Sequence, residues 1–301
     1  MTVEVFAPAK VNLTLHITGR RADGYHLIDS LVTFGPAGDV LRLADAEDFG
    51  IAVDGPEATG VPADDSNLAL QAARLLRRER GTVLTLTKHL PAASGIGGGS
   101  ADAAAAARGA VALEDRVGAE LAPLGPDLLD ETNIRPLLDL GADIPMCLLP
   151  RPLRARGIGE RIAFAELPPL AALLVNPRVP VPTGAVFAAL ETRENPPMPE
   201  TLPEFPDAAA LIDWLATQRN DLETPALTVA PAIADVLATL RASPGCRLAR
   251  MSGSGATCFG LFLDRSAADA AGGTIRAAHP GWWVAGGMLG DYLERSLPRV
   301  I

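Results

Sequence analysis

The 301-residue chain reads as a mixed α and β protein, built as two domains or one large one. Three observations predict this. Strand-like and helix-like segments alternate along the chain. A strand, a glycine loop and an alanine-rich helix adjoin around residue 95. Finally, a 48% hydrophobic content with a mean hydropathy of +0.20 supplies a substantial core. The formal charge of −10 argues against nucleic acid or an anionic membrane as partner, because both reward a basic surface. No apolar run reaches bilayer length, and Lys10 and Asn12 interrupt the N-terminus where a signal peptide would be apolar. A cytoplasmic protein is therefore expected. Cys147, Cys246 and Cys258 form no CxxC pair and are expected to pack as small hydrophobes.

In chain order, Val3 to Phe6 begins a strand, and from Val11 apolar residues alternate with Asn12, Thr14 and His16, the signature of a half-buried strand. Lys10 and Asn12 then share a polar face. Asp23-Gly24 marks a hairpin turn over Arg20 to Gly24, which sets Tyr25 and His26 at the start of the returning strand. An aromatic beside an imidazole there either packs on the surface or stacks on a base and reads its edge. Val40 to Val53 supplies short strands. Ser66-Asn67 caps a helix to about Arg80, with Leu68, Ala72, Leu75 and Leu76 as its apolar stripe.

The stretch Pro91 to Arg108, PAASGIGGGSADAAAAAR, carries the strongest chemical signal. It follows Val83 to Leu90, where Leu84 and Leu86 alternate with Thr85 and Thr87 as in a strand. Gly95, Gly97, Gly98 and Gly99 present bare amides, and Ser100 and Asp102 with the alanines that follow begin a helix. Free N–H groups and the positive end of a helix dipole converge there, which suits an anion. A P-loop would need Gly-Lys, and no lysine follows Gly99. A dinucleotide fingerprint would need an acid ending a second strand about 20 residues on, whereas Glu114 and Asp115 end the alanine helix. A dinucleotide-dependent oxidoreductase is thus the weaker reading. Among 26 basic residues only Lys10 and Lys88 are lysines, and arginine does not replace a compact ammonium in a confined site.

Beyond a loop with Pro123, Gly125 and Pro126, a helix is expected from about Leu128 to Leu140. Asp143 follows it closely, a position where the helix dipole disfavours a carboxylate unless a cation such as Lys10 lies near. Arg156-Gly157-Ile158-Gly159-Glu160 is a turn that could join domains. Leu170 to Val175 is an apolar strand, Thr183 starts a short helix with Val186 and Phe187, and five prolines between Asn195 and Pro206 require a surface loop. Helices follow over Asp207 to Arg219 and Leu222 to Ala242. The small-residue loop Ser252 to Thr257 leads into the strand Cys258 to Leu263, and suggests close approach to a ligand or to the first glycine loop. A helix near Ala267 to Ala278 and a strand around Trp282 to Ala285 complete the pattern.

Four segments together, Pro8-Ala9-Lys10-Val11-Asn12-Leu13 with Gly24-Tyr25-His26, Gly95 to Asp102, Leu140 to Pro145, and Ser252 to Thr257, resemble the GHMP kinases in order from residue 4 to about 260. The resemblance implies an α+β, two-domain fold: a ribosomal protein S5 domain 2-like N-terminal domain (1–158) and a ferredoxin-like C-terminal domain (159–301). It also implies ATP with Mg2+, and a hydroxyl of a cytidyl diphospho-methylerythritol of the non-mevalonate isoprenoid pathway as acceptor. Lys10 and Asp143 would be the catalytic pair. Pro91, Ala92, Ala93, Ser94, Gly95, Ile96, Gly97, Gly98, Gly99, Ser100 and Ala101 would hold the ATP phosphates. Tyr25 and Phe187 would sandwich the cytosine, His26 would read its edge, and Asn12 and Thr183 would contact substrate. The sequence departs from the family at Ala101, where a second serine is usual, at Ala92-Ala93-Ser94 in place of Met-Gly-Ala, and at Met146-Cys147 in place of an aromatic pair.

Overall fold

A computed structural model describes residues 1–77, 80–114 and 131–301, the side chains of 131–133 excepted. The expected loop around Pro123, the helix start at Leu128 and Asp115 lie outside the described residues. Two sheets organise the molecule. The larger contains β1 (Thr2–Asn12), β2 (His16–Arg20), β3 (His26–Ala46), β4 (Gly50–Asp54), β5 (Gly81–Thr87), β6 (Leu153–Gly157) and β7 (Arg161–Phe164), and β12 (Arg299–Val300) returns to its edge. Its main path runs β12-β1-β3-β5-β4, antiparallel except for the parallel pair β4 and β5. The smaller sheet has the order β11-β8-β10-β9, with β8 (Leu170–Asn176), β9 (Cys246–Met251), β10 (Cys258–Phe262) and β11 (Trp283–Leu289). With α9 (Arg265–Ala278) after β10 and the helices between β8 and β9, this is a β-α-β-β-α-β, ferredoxin-like unit.

Several expected elements shift, each for a local reason. The strands read between Val40 and Val53 are the end of the single 21-residue β3, and then β4. The hairpin at Asp23-Gly24 forms as read, joining β2 to β3. Helix α1 (Leu68–Leu76) takes its cap from Asn67, whose side chain accepts from the Ala69 amide at 2.9 Å, and stops short of Arg80. The helix expected over Leu222 to Ala242 is two helices, α7 (Glu223–Val229) and α8 (Ala232–Ala242), because Pro231 cannot continue the first. The prolines between Asn195 and Pro206 do exclude regular structure, but the segment is not wholly on the surface. Met198 is buried, and its amide donates to Asp29, whose carboxylate also takes a bidentate pair from Arg154 at 2.6 and 2.7 Å. The glycine-punctuated turn after Arg156 closes the β6–β7 hairpin of the larger sheet, and the second sheet begins at Leu170.

Helix α2 (Gly98–Glu114) lies against β1 and α1, and its alanines are buried along nearly its whole length. Small side chains let its axis lie close: a Cβ on Gly109 would meet Leu43 Cδ1 at 2.7 Å. A third core joins the sheets, with Ala9, Val11, Leu13 and Ile96 packing with Leu174, Phe259 and Leu289. Cys147 and Cys258 are buried free thiols, and burial pushes Cys147 up to about 12. Among the described residues, no helix is long and apolar enough to cross a membrane.

Candidate active site

The half-buried strand expected from Val11 onward ends instead at Asn12, and its polar side chains are not solvated. Lys10, Asn12, Thr14 and His16 are all buried. Two small-residue loops cover Lys10 and Asn12. The Lys10 amide donates to the Ile96 carbonyl at 3.0 Å, and the Asn12 amide donates to Ser252 Oγ at 3.1 Å. Ser252 Oγ in turn donates to the Gly95 carbonyl at 3.0 Å, so the loop at 252–257 packs on the glycine loop itself. The approach leaves no room for side chains: a Cβ on Gly95 would meet the Ser252 carbonyl at 2.5 Å, and one on Gly253 would meet the Gly95 carbonyl at 2.7 Å. Both glycines have positive φ.

Lys10 reaches under the glycine loop, where its Nζ lies 3.0 Å from Asp143 Oδ2 and donates to Asn12 Oδ1 at 2.8 Å. Asn12 is oriented in turn by donating to Ser30 Oγ at 2.8 Å. Lysine 10 is thus a nearly enclosed ammonium with two fixed oxygen partners, while the Asp143 side chain is 42% exposed. The Asp143 backbone stands between α3 (Glu131–Leu140) and the short α4 (Ile144–Leu148), where it is the residue that begins α4. The unfavourable dipole of the preceding helix end is therefore offset by the start of the next as well as by Lys10.

These groups face one cavity of about 950 Å3. Lining it are Lys10, Asn12, Tyr25, His26, Ala93, Ser94, Gly95, Gly97, Gly98, Gly99, Ser100, Asp143, Thr183 and Phe187. Four residues expected at the phosphates, Pro91, Ala92, Ile96 and Ala101, do not line it. Ile96 is instead a core anchor for the loop, and Ala101, in the first turn of α2, packs into the core. The helix begins at Gly98, two residues before the expected Ser100. At the other end of the cavity the rings pair differently from the expected sandwich. His26 stacks on Phe187, with ring centroids 4.7 Å apart and planes at 22°, while Tyr25 is exposed. His26 Nε2 is buried without a hydrogen-bond partner. Burial, then Arg20 and Arg193, lower its pKa and keep the ring neutral.

Residues that the sequence did not single out also line this cavity, among them Ser254, Arg20 and Arg193. Thr183 Oγ1 lies 2.9 Å from Ser254 Oγ, which joins α5 (Thr183–Ala188) to the 252–257 loop. The signal for Ser254 was the small-residue loop itself, whereas nothing local marks Arg193.

A family model described as the GHMP kinases N terminal domain matches residues 67–148, and one described as GHMP kinases C terminal matches 201–280. The chain belongs to the GHMP kinase family. It is 52% identical over 299 residues to the 4-diphosphocytidyl-2-C-methyl-D-erythritol kinase of Roseobacter denitrificans, covering 99% of this chain and 97% of that one. Its fold matches a crystal structure of 4-(cytidine 5'-diphospho)-2C-methyl-D-erythritol kinase with a TM-score of 0.73 at 33% identity, covering 96% of this chain and 99% of that chain. A homoserine kinase from Cytophaga hutchinsonii shares the fold alone, with a TM-score of 0.65 at 19% identity over 100% of this chain and 97% of that chain. This GHMP kinase is a small-molecule kinase of the two-domain α+β fold, and ATP is the phosphoryl donor of its family.

Two smaller effects follow from this geometry. Ala93 has φ +47°, a conformation that costs an L-residue about 1 kcal/mol. Ala93→Gly is therefore expected to raise stability by about 0.5 kcal/mol after the entropic cost of glycine, seen as a higher urea midpoint at unchanged m. His16 is buried, and burial and Arg219 lower its pKa against the opposing effect of Asp221 and Asp29. The unfolded chain then binds the extra proton, so this contribution is complete above the unfolded pKa of about 6.5 and declines as pH falls below it. Urea titrations at several pH values should show a shallower acid-side slope in His16→Gln than in the parent.

Proposed function

We propose that this kinase transfers the γ-phosphoryl group of ATP to a hydroxyl of 4-diphosphocytidyl-2-C-methyl-D-erythritol in the non-mevalonate isoprenoid pathway, the 2-hydroxyl by family resemblance. The observation that carries the reading is the Lys10–Asp143 pair at 3.0 Å, facing the same cavity as the glycine loop. Phosphoryl transfer asks the protein mainly for positioning and charge neutralisation. The amides at the start of α2 suit the phosphates. Asp143 is the general base for the acceptor hydroxyl, and Lys10, fixed by Asn12, orients the hydroxyl and balances charge.

The far end of the cavity supplies the reason for a cytidyl acceptor. A neutral His26 with a free ring nitrogen can hydrogen-bond a base edge, and Phe187 offers a stacking face. Entry of a base between Tyr25 and Phe187 requires His26 to swing off the Phe187 ring. Thr183 and Asn12 remain candidate substrate contacts. Among the described residues no group of three or more His, Cys, Asp or Glu could hold a metal by itself. Magnesium carried on the ATP phosphates would retain water and neutralise charge there.

The test is an ATP-consumption assay with the cytidyl acceptor, with and without magnesium, alongside mevalonate and homoserine. Turnover is expected with the cytidyl compound alone and only with magnesium present. Comparable turnover of mevalonate or homoserine would assign the enzyme to another branch of the family.

A further inference from the structure

Beneath the glycine loop, outside the cavity, lies a second cluster of ionisable groups. Lys88, the only other lysine in the chain, is buried between two buried carboxyls, Asp39 and Asp102. Its Nζ donates to Asp39 Oδ2 and, at 2.7 Å, to Asp102 Oδ2. Asp39 Oδ1 accepts the backbone amides of His89 at 2.5 Å and Leu90 at 2.9 Å, which lead into the glycine loop. Asp102 stands in the first turns of α2, which leads out of it. A Cβ on Gly98 would lie 3.5 Å from Lys88 Nζ, so the ammonium sits directly under the loop. The cluster thus joins β3, both ends of the glycine loop and α2.

Two carboxylates and one ammonium, all enclosed, would leave a net negative charge beside a site meant for phosphates. The hydrogen bonds show where a proton relieves this. Asp39 takes three donors and has use for both oxygens as acceptors, whereas Asp102 Oδ1 receives no donor at all. We infer that Lys88 and an ionised Asp39, completed by a neutral Asp102, form a clamp that positions the glycine loop for the phosphates of ATP. Burial holds the Asp102 carboxyl well above the usual carboxylate range, with Lys88 opposing and Asp39 adding to the effect. Burial alone would lower Lys88, but Asp102 and Asp39 beside it leave it raised and charged. None of the three lines the cavity; they are positioning residues.

The arrangement makes an asymmetric prediction, and it rests on the ATP reading of the glycine loop. Asparagine is nearly isosteric with a protonated aspartic acid, so Asp102→Asn should leave the KM for ATP within about threefold of the parent. Asp39→Asn sets an amide against donors, and Lys88→Met removes the central cation, so each should raise the KM for ATP by about tenfold or more. In both, the KM for the acceptor should stay within about threefold, a split that general loosening of the fold would not give. An infrared difference spectrum of Asp102→Asn against the parent should show loss of a protonated-carboxyl band at neutral pH, and this reading needs no activity and no unstable variant.

An unchanged KM for ATP in Lys88→Met, equal damage from Asp102→Asn and Asp39→Asn, or no such band would overturn the clamp. ATP calorimetry on the parent enzyme separates the two levels. No binding there removes the phosphate reading of the loop, whereas parent binding matched by Lys88→Met removes only the clamp.

Discussion

Asp143→Ala is expected to lower turnover by at least about 10²-fold while ATP binding stays within about threefold of the parent, the pattern left when a general base is removed from a hydroxyl nucleophile. Its carboxylate faces the cavity, with one oxygen on Lys10, and makes no capping hydrogen bond to α4. Lys10 keeps Asn12 Oδ1 but loses its carboxylate partner, so the melting temperature should fall somewhat, and retained ATP binding then shows that the lost turnover is chemistry. Rates of ADP release at saturating acceptor and ATP calorimetry on the same preparation check both halves. Near-normal turnover would remove Asp143 from the mechanism.

The largest stability effect is expected at Arg108, a residue with no chemical role in the reading above. It is fully buried in α2, and among the described residues its guanidinium pairs with no carboxylate and donates to carbonyls, of Phe6 at 2.9 Å, Cys147 at 2.7 Å, Leu148 at 3.2 Å and Ser296 at 3.0 Å. Burial lowers its pKa to about 10, so it remains a cation at neutral pH. The Cys147 and Leu148 carbonyls belong to the end of α4, whose first residue follows Asp143. One side chain therefore ties the helix that begins in the glycine loop to the helix that follows Asp143, and both to β1 and the C-terminal segment.

Arg108→Ala leaves four buried carbonyls short of a donor and opens a cavity, and should cost about 3 to 5 kcal/mol, which urea unfolding will measure. Arg108→Lys keeps the charge but not the fork of donors, and should fall between the two. If alanine costs less than about 1 kcal/mol, the carbonyls have found water and the tie is not structural.

Local chemistry marked much of this site in advance. The strand, glycine loop and helix start over 81–114 were legible because glycine, β-branched residues and alanine each favour one local conformation whatever surrounds them. Where the reading went astray, long-range packing had overruled the local pattern. The alternation after Val11 read as a half-buried strand, yet Lys10, Asn12, Thr14 and His16 are all buried, the first two beneath the loops at 94–99 and 252–257. Arg154 and Asp29, which draw the proline-rich segment inward, are 125 positions apart and carry no shared local signal.

The amino-acid order by itself determined the glycine turn, the helix that follows it, the hairpin bearing Tyr25 and His26, and the choice of lysine at only two positions. Which side of each element meets another was decided by the tertiary structure. It brought Lys10 to Asp143, 133 positions away, set His26 on Phe187, and enclosed Lys88 between two acids. The physical reason is that backbone preference acts over a few neighbours, whereas burial and charge pairing are properties of surfaces that exist only once sheets and helices have closed on one another.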